Sequence, residues 1–486
     1  MQEAILVLSQ SMTQADLIAR TLRCQRIYAV VRPLDASLDS IPQLSVKGVV
    51  VAQREAEPPV LEKLDPALLP SGLPLLMLEG AALSLCAYYE GVPGAEEAPE
   101  GSVDLQWQEE ALFEGLESEE RRLLPFSPLA LSQTLLPIAM AENKIIGFRH
   151  ERLPHYGLQY PIERNDPDGA RILANFARRI CLCSTDWDDD FIIDRALEAI
   201  RAQVPGEGRA LCAVSGGVDS AVCARLASLA LGNRLTCILV DTGFFHRNEP
   251  QRIIAEFMET MGIVVAYVDA REAFLDALRG VNSQEEKESR ASALMTQMML
   301  RQFEFEPEIH TLILGTNYND ALYGYAPSVA FDQARGAFPL RVLEPVRHLF
   351  KDEVRRLAQS LSLPASFAGR QPFPTSGLAA RIFGEVTEER LEVIRLADDC
   401  LREEILAGGF ERKLWQYYTV LMQSPDRQDR YTIAIRALQA GQATATSARL
   451  PFDLLERVTE RILREIHSIS RVAYDLTPSS HYREME

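Results

Sequence analysis

Short apolar runs alternate with amphipathic stretches in the first part of the chain. Continuous apolar runs predict buried β-strands, and apolar residues repeated every three or four positions predict helices. An acidic stretch with Pro and Gly, 91–102, is typical of a surface loop. The predicted strands lie at 5–8, 48–51 and 74–78, and the predicted helices lie at 16–22 and 81–89. This alternation predicts an α/β fold.

The alternation starts again after a polar segment, 184–190, which ends in three consecutive aspartates. Charged and helix-capping residues favour a linker here, so we expect a new domain to begin. Strands that alternate with helices predict a parallel sheet covered on both faces, with ligands at the carboxyl ends of its strands. The strands are predicted at 209–214, 235–240, 263–269 and 312–314, and the helices at 191–204, 219–231, 249–261 and 290–305.

A last segment begins near residue 371 and has its own amphipathic stretches, at 391–406 and 452–466. The 486 residues are too many for one hydrophobic core, and a typical domain size of about 150 residues suggests roughly three domains. We therefore predict domains at 1–188, 189–370 and 371–486.

Composition narrows the classes of function. The formal net charge of −19 opposes binding to a phosphate backbone, so a nucleic acid is not an expected partner. No apolar run approaches the ~20 residues of a membrane helix, and the first residues lack the cationic region and long apolar stretch that are typical of a signal peptide, so we expect a cytoplasmic protein without membrane contact. Cys181 and Cys183 form a C-x-C pair, but no second pair lies at ligand spacing, which favours core packing over metal binding.

The most informative motif lies between a predicted strand and a predicted helix and consists of Ser215, Gly216, Gly217, Val218, Asp219 and Ser220. Two glycines let the backbone turn closely around an anion, two serine hydroxyls can donate hydrogen bonds, and the helix N-terminus presents free N–H groups. We interpret this segment as a pyrophosphate cradle, with an ordinary tight turn as the alternative. It lacks the Gly-Lys-Ser/Thr ending of a Walker loop, which favours cleavage between the α- and β-phosphates of ATP.

With this loop, the chain resembles the GMP synthetase family, in which an amidotransferase domain supplies ammonia to an ATP-pyrophosphatase domain. The resemblance extends over nearly the whole chain. It implies a class I amidotransferase-like domain, a PP-loop ATP-pyrophosphatase domain with a parallel sheet, and a C-terminal α+β domain that forms a homodimer. Beyond the loop, the similar stretches are 240–243, 247–249, 268–270, 315–320, 343–347, 350–355, 372–374, 382–387, 448–453 and 471–475.

The resemblance also implies roles for single residues. Residues 215–220 and Lys351 would hold the pyrophosphate of ATP, and Asp219 would bind Mg²⁺, with a helix cap as the alternative. The remaining candidates for the ATP site are Val240, Asp241, Gly243, Gly315 and Asp320. A substrate carbonyl oxygen would attack the α-phosphorus, and a nucleophile would then expel AMP. Asp219 and Lys351 are the catalytic candidates, because Lys351 would neutralise the departing pyrophosphate unless it is only a surface charge.

The glutamine-handling positions depart from the family pattern. Glu79 stands where the nucleophilic Cys is expected, and Pro161 stands where the His base is expected, although Glu163 is kept. Gln53 and Arg54 replace a Gly-Gly pair that helps to form the oxyanion hole. We therefore expect no glutaminase activity, since a carboxylate cannot form a glutamyl thioester. Two other residues near these positions, Cys86 and His155, are interpreted as a core cysteine and as a structural or surface histidine.

The acceptor positions have changed as well. Gln371 replaces a His, 374–377 reads Pro-Thr-Ser-Gly in place of Pro-Gly-Pro-Gly, 329–333 replaces a Lys-Ser-His-His-Asn motif, and 478–480 lacks an expected Lys. The leading hypothesis is ATP-dependent adenylylation of a purine nucleotide, followed by attack of a nucleophile that does not come from glutamine.

That nucleophile would be free ammonia or a sulfur atom delivered by another protein or a small molecule, and sulfur would give a thiopurine. Two alternatives remain open at the level of sequence. One is an ammonia-dependent conversion of XMP to GMP, and the other is a non-catalytic nucleotide-binding regulatory protein.

Overall fold

The computed structural model describes residues 2–38, 44–53, 60–94, 101–117, 120–123, 126–306, 308–322, 340–368, 370–371, 373–425, 427, 429–439 and 445–477. The chain divides into two compact units, Met1–Phe191 and Ile192–Glu486. Each unit is built around its own sheet or sheets. No helix among these residues is both long enough and apolar enough to cross a membrane.

The first unit contains a nine-stranded sheet in the order β2-β1-β3-β4-β11-β10-β9-β6-β7. The strands are β1 (Gln2–Ser9), β2 (Ala29–Pro33), β3 (Leu44–Gln53), β4 (Leu75–Glu79), β5 (Val92–Pro93), β6 (Gly101–Trp107), β7 (Glu120–Leu123), β8 (Leu129–Ala130), β9 (Leu135–Ala141), β10 (Lys144–His150) and β11 (His155–Leu158). The helices are α1 (Met12–Cys24), α2 (Gly80–Tyr88) and α3 (Pro167–Asn175). Five adjacent strands, β2, β1, β3, β4 and β11, are parallel, so their carboxyl ends share one edge.

This unit contains more strands than the sequence prediction, which gave none between residues 78 and 209 and so missed β5 to β11. Strand β2 was not predicted, because its apolar run, Ala29 to Val31, is too short to stand out. The predicted loop at 91–102 is partly strand, since β5 and the start of β6 fall within it, and residues 95–100 lie outside the described part. The apolar runs at 5–8, 48–51 and 74–78 do coincide with β1, β3 and β4.

The second unit contains a five-stranded parallel sheet in the order β14-β13-β12-β15-β16. Its strands are β12 (Arg209–Ala213), β13 (Leu235–Asp241), β14 (Val265–Asp269), β15 (Ile309–Ile313) and β16 (Arg341–Leu343). Its helices are α4 (Asp189–Gln203, which begins just before the division), α5 (Val218–Leu231), α6 (Glu249–Met261), α7 (Arg271–Ala277), α8 (Gln284–Phe305), α9 (Tyr318–Leu322), α10 (Lys351–Ser360) and α11 (Ala365–Ala368). The predicted parallel sheet is confirmed.

The C-terminal part of this unit packs two helices against a second, mixed sheet. Strand β18 pairs antiparallel with β17 and β19 and parallel with β20. The elements are α12 (Glu388–Ala407), β17 (Gln416–Gln423), β18 (Tyr431–Gln439), β19 (Thr446–Ser447), α13 (Phe452–Glu465) and β20 (Ile469–Asp475). One hydrophobic cluster includes Leu211 and Leu312 from the parallel sheet and Ile394 and Ile435 from the C-terminal part.

Helix α8 links these two parts through a buried lysine. The side chain of Lys287 is fully buried and donates to the carbonyl oxygens of Ile382, at 2.5 Å, and Gly384, at 2.7 Å. The next residue, Glu288, accepts hydrogen bonds from the backbone N–H groups of Thr375 and Ser376 at 3.2 and 2.9 Å. An ammonium group removed from water is stable only with such partners, so these bonds fix the segment after residue 374 onto α8.

His155 is a structural histidine of the first unit. It is fully buried at the start of β11, and its Nδ1 lies 2.6 Å from the hydroxyl of Tyr89. In register, His155 faces Leu75 at the amino end of β4, whereas Glu79 lies at the carboxyl end. Four strand steps of about 3.3 Å separate the two edges by roughly 13 Å. The interpretation of His155 as a structural residue is therefore confirmed.

Burial of His155, together with nearby His150, lowers the pKa of its imidazole to about 4. The folded pKa lies below the unfolded value of about 6.5, so the unfolded chain binds the proton more readily between these values. We expect the opening free energy of α2 and β11 to fall as the pH drops from about 6.5 toward 4. Hydrogen exchange of peptides from these elements measures this loss, and it should be smaller in a His155→Gln variant. An equal loss in both proteins would contradict this assignment.

Candidate functional site

The predicted pyrophosphate cradle, residues 215–220, is called the phosphate loop below. It follows β12, which ends at Ala213, and extends into α5, which begins at Val218. Gly216 adopts a positive φ of 77°. A Cβ atom at this position would lie 2.4 Å from Cδ1 of Ile253 and 2.7 Å from Nη1 of Arg370. The positive φ favours glycine here, and a side chain at this position would also displace Ile253 and Arg370.

The two serines close the loop on itself. The Ser215 and Ser220 hydroxyl oxygens are 3.2 Å apart, and the Ser220 hydroxyl also donates to the carbonyl of Gly217 at 3.0 Å. The backbone N–H groups of Ser215 and Gly217 donate to these same hydroxyl oxygens, at 3.2 and 3.3 Å. The result is a compact turn at the N-terminus of α5, where the positive end of a helix dipole favours an anion.

Asp219 and Lys351 are brought together at the mouth of this turn. Lys351, the first residue of α10, forms an ion pair through its Nζ with Oδ2 of Asp219, and both side chains are partly buried. The other carboxylate oxygen of Asp219, Oδ1, is buried and has no hydrogen-bond partner among the described residues. The two residues predicted to be catalytic are thus in direct contact, although they are 132 positions apart.

Asp320 lies in the same electrostatic neighbourhood. Burial raises the pKa of its carboxyl group to about 6, and the negative charge of Asp219 adds to the increase. The N–H of Asn317 donates to Oδ2 of Asp320 at 3.1 Å. Two carboxylates that repel each other, one with an unused oxygen, provide the hard oxygen ligands that Mg²⁺ prefers.

The described residues contain no group of three or more His, Cys, Asp or Glu side chains that could hold a metal ion by themselves. Mg²⁺ is commonly held by one or two carboxylates together with substrate phosphates, so the pair Asp219 and Asp320 fits this ion in the presence of ATP.

Gly315 brings the end of β15 against the first turn of α5. A Cβ at Gly315 would lie 2.7 Å from the backbone nitrogen of Ser220 and 2.9 Å from the carbonyl carbon of Asp219. Backbone atoms cannot move aside as a flexible side chain can. Gly315, predicted as part of the ATP site, therefore lies against the backbone of the phosphate loop and allows the two elements to approach.

Three other candidates for the ATP site, Val240, Asp241 and Gly243, lie at the carboxyl end of β13. Asp241 accepts hydrogen bonds from the N–H of Gly243 at 2.9 Å and from the hydroxyl of Tyr267 at 2.7 Å. Asp241 and Gly243 line a cavity of about 1180 Å³, which is large enough for a nucleoside. Val240 is buried in the hydrophobic core and does not line this cavity, and neither does any residue of 215–220.

The sequence prediction missed a buried charge network behind the loop. Arg370 donates through Nη2 to Oε1 of Glu249 at 2.8 Å and through Nη1 to the carbonyl oxygen of Ser215. A second pair joins Arg381 to Asp398 at 3.1 Å, with Nδ1 of His246 3.4 Å from the other oxygen of Asp398. Hydropathy gave no signal for these residues, because charged side chains are usually assigned to the surface.

Two of the predicted acceptor segments, 329–333 and 478–480, fall outside the described residues. Gln371 is described, and its Oε1 accepts a hydrogen bond from the N–H of Tyr417 at 3.0 Å.

Comparison with known proteins identifies two family models and several relatives that match this chain. The NAD synthase family model matches residues 193–412, and the model for the GMP synthase C terminal domain matches residues 403–481. A glutamine-hydrolysing GMP synthase of Heliobacterium modesticaldum is 34% identical, and the match covers 98% of this chain and 97% of that protein. Those of Symbiobacterium thermophilum and Geobacillus kaustophilus are also 34% identical and match over 98% of this chain and 97% and 98% of their own lengths.

The chain belongs to the GMP synthase family. Both domain matches point to an ATP-utilising ligase, and the resemblance stated from the sequence is confirmed.

In this GMP synthase family member, the turn after β4 keeps a strained conformation around Glu79. Its φ of 54° and ψ of −126° are rare for a residue with a side chain, and α2 begins at the next residue. The side-chain amide of Gln14 donates to Oε2 of Glu79. In register, Gln53 faces Glu79 across β3 and β4.

Pro161 and Glu163 follow β11, so they lie past the same carboxyl edge of the sheet as Glu79. Pro161 is buried and Glu163 is exposed. Cys86 is fully buried in α2, which confirms its interpretation as a core residue, and burial raises the pKa of its thiol to about 11. Cys181 and Cys183 are also buried.

We predict that Gly216→Ala weakens binding of Mg-ATP by about tenfold or more, because a positive φ costs a non-glycine residue roughly 1–2 kcal/mol and the new methyl group collides with Ile253. Isothermal titration calorimetry measures this change. Gly232→Ala is a matched control, since Gly232 also has a positive φ, 56°, but has no atom near its Cβ position. Equal binding by the Gly216→Ala variant and the wild type would contradict the role of the loop.

Proposed function

We propose that this protein uses ATP to adenylylate a carbonyl oxygen of a purine nucleotide and that a nucleophile from a source other than glutamine then displaces AMP. The nucleophile is sulfur, which would give a thiopurine nucleotide such as that of 6-thioguanine, or free ammonia. Glu79 at the strained turn after β4 is the observation that carries this proposal, because the family match extends over this turn and yet the residue there is not a thiol.

The chemistry has two steps. The carbonyl oxygen of the purine attacks the α-phosphorus of ATP, a P–O bond forms, and pyrophosphate leaves. The nucleophile then adds to the same purine carbon, and the carbon–oxygen bond breaks with release of AMP, which keeps the former carbonyl oxygen. The product carries nitrogen or sulfur in place of that oxygen.

The residues of the phosphate loop have distinct roles in the first step. The N-terminus of α5 and the hydroxyls of Ser215 and Ser220 would bind the pyrophosphate portion of ATP. Lys351 would exchange its present partner, Asp219, for the pyrophosphate oxygens on which charge develops. Asp219 and Asp320 would hold Mg²⁺, which neutralises phosphate charge when it is bound.

We expect no glutamine hydrolysis by the first unit. A glutamyl thioester needs a thiolate, and Glu79 offers a carboxylate that already accepts a hydrogen bond from Gln14. Cys86 cannot substitute, because it is fully buried and its raised pKa keeps the thiol protonated. His155 is remote from this edge of the sheet, so it cannot serve as the missing base.

The altered acceptor segment supports a substrate other than the usual XMP, or XMP held in a different way. Gln371 stands in place of a histidine and bonds to the backbone of β17. Thr375 and Ser376, which replace Gly and Pro of the family pattern, are bonded to Glu288 of α8. We expect a purine nucleotide as substrate, a homodimer through residues 371–486, and a separate donor for sulfur or ammonia.

The direct test supplies Mg-ATP with XMP or GMP and, separately, ammonium or sulfide, and measures AMP, pyrophosphate and the mass of the nucleotide product. Replacement of oxygen by sulfur would support a thiopurine synthase, and GMP from XMP and ammonium would support an ammonia-dependent synthetase. No AMP with any purine nucleotide would contradict the proposal and favour a non-catalytic nucleotide-binding protein.

In the same assay, glutamine should not replace ammonium or sulfide, because the turn after β4 has no thiolate to attack it. Release of ¹⁵N-ammonia from glutamine labelled at its amide nitrogen, measured by mass spectrometry, should equal that of a protein-free control. Stoichiometric release of labelled ammonia during turnover would contradict this prediction.

We predict that Lys351→Gln lowers the rate of pyrophosphate–ATP exchange by about 100-fold or more, a loss typical of removing a charge that stabilises the transition state. Lys144→Gln is the control, since Lys144 is an exposed residue of the first unit. An unchanged exchange rate in the Lys351→Gln variant would show that Lys351 is only a surface charge.

A further inference from the structure

Arg370 lies between the phosphate loop and the start of α6. Its Nη1 donates to the carbonyl oxygen of Ser215, and its Nη2 donates to Oε1 of Glu249 at 2.8 Å. The second carboxylate oxygen of Glu249 accepts the N–H of His246 at 3.0 Å. One guanidinium group therefore ties the first residue of the loop to the N-terminus of the neighbouring helix.

The pair is withdrawn from water. The side chain of Glu249 is 2% exposed and that of Arg370 is 16% exposed. The ring of Phe373 lies beside the guanidinium, with 5.6 Å between its centroid and Cζ. A buried pair with additional hydrogen bonds has a defined geometry, whereas an exposed pair samples many.

The hydrogen bond from Arg370 to the carbonyl oxygen of Ser215 fixes the orientation of a whole peptide group. In a trans peptide the C=O and the following N–H point in opposite directions, so the bond to Arg370 also fixes the N–H of Gly216, which points away from Arg370. A flexible glycine backbone could otherwise turn this carbonyl, with its partial negative charge, toward a bound phosphate. The absence of a Cβ at Gly216 leaves the space that the guanidinium needs.

We propose that Arg370 is a positioning residue that orients the Ser215–Gly216 peptide for pyrophosphate binding and couples the loop to the segment beginning at Gln371. Arg370 acts through the backbone and does not itself react. Gln371, the residue after Arg370, accepts a hydrogen bond from the N–H of Tyr417 and so connects this part of the chain to β17. This inference rests on the proposed function insofar as the loop binds the pyrophosphate portion of ATP.

The competing explanation is that the ion pair between Arg370 and Glu249 only stabilises the fold. A double variant distinguishes this explanation from a positioning role. Arg370→Met alone removes the partly buried cation that pairs with the Glu249 carboxylate at 2.8 Å and should destabilise the protein. Glu249→Gln combined with Arg370→Met removes the carboxylate charge, and its amide oxygen can still accept the N–H of His246. The thermal midpoint of the double variant should therefore move back toward the wild-type value, although the Ser215 carbonyl still lacks its donor.

The experiment compares wild type, Arg370→Met, the double variant and Arg252→Met. Arg252 is the matched control, because it lies 3.8 Å from Glu249 but its side chain is 57% exposed, and the described part of the chain contains no hydrogen bond between Arg252 and Ser215. Hydrogen exchange of the peptide that covers residues 212–221 is measured without ligand, and the affinities for pyrophosphate and Mg-ATP are measured by calorimetry.

We expect faster exchange of the loop and affinities about tenfold lower, corresponding to about 1.4 kcal/mol, in both proteins that carry Arg370→Met. Arg252→Met should behave as wild type. Recovery of loop protection and affinity together with the thermal midpoint in the double variant would overturn the inference, as would wild-type behaviour of Arg370→Met. Wild-type protein that binds neither ligand would contradict the proposed function, whereas the loop exchange decides the role of Arg370 by itself.

Discussion

The close contact between Gly315 and the first turn of α5 is the constraint on which the site depends. It sets the end of β15 directly against the backbone of Asp219 and Ser220. Asp320 follows in the same chain segment, so the contact also determines how near its carboxyl group comes to that of Asp219. Lys351 forms its ion pair with this Asp219 carboxylate. A single side-chain carbon at Gly315 would disturb the loop, the carboxylate pair and the lysine together.

The first unit shows a different relation between conformation and chemistry. The turn at Glu79 retains a positive φ that a non-glycine residue adopts only at a cost of about 1–2 kcal/mol. The parallel strands on either side hold it, since β3 and β11 pair with β4 along its length. Such a turn presents a side chain at the carboxyl edge of a sheet whatever that side chain is. Here it presents a carboxylate bonded to Gln14, which is incompatible with thioester chemistry.

Features that arise from neighbouring residues in the chain were predictable from the sequence, whereas contacts between residues far apart in the chain were not. Four of the five strands of the parallel sheet, β12 to β15, were predicted from their continuous apolar runs, whereas β16 was missed. The loop was predicted as well, since its glycines and serines are adjacent in the chain. The pairing of Arg370 with Glu249 spans 121 positions and has no periodic signature, and Lys287 would be assigned to the surface by hydropathy although it is fully buried. Strands β17 and β18 were also missed. The sequence could not show that Gly315 lies against the phosphate loop, because the two segments are far apart in the chain and only the structure gives the distance to Ser220.

Transfer of the carbonyl oxygen to AMP is the most direct test of adenylylation of the purine. The protein would be incubated with Mg-ATP, ammonium or sulfide, and GMP labelled with ¹⁸O at C6 or XMP labelled at C2, and the AMP would be analysed by mass spectrometry. We expect AMP that is heavier by the one labelled oxygen, because the former carbonyl oxygen leaves with the adenylyl group. Unlabelled AMP formed together with a modified purine would contradict it.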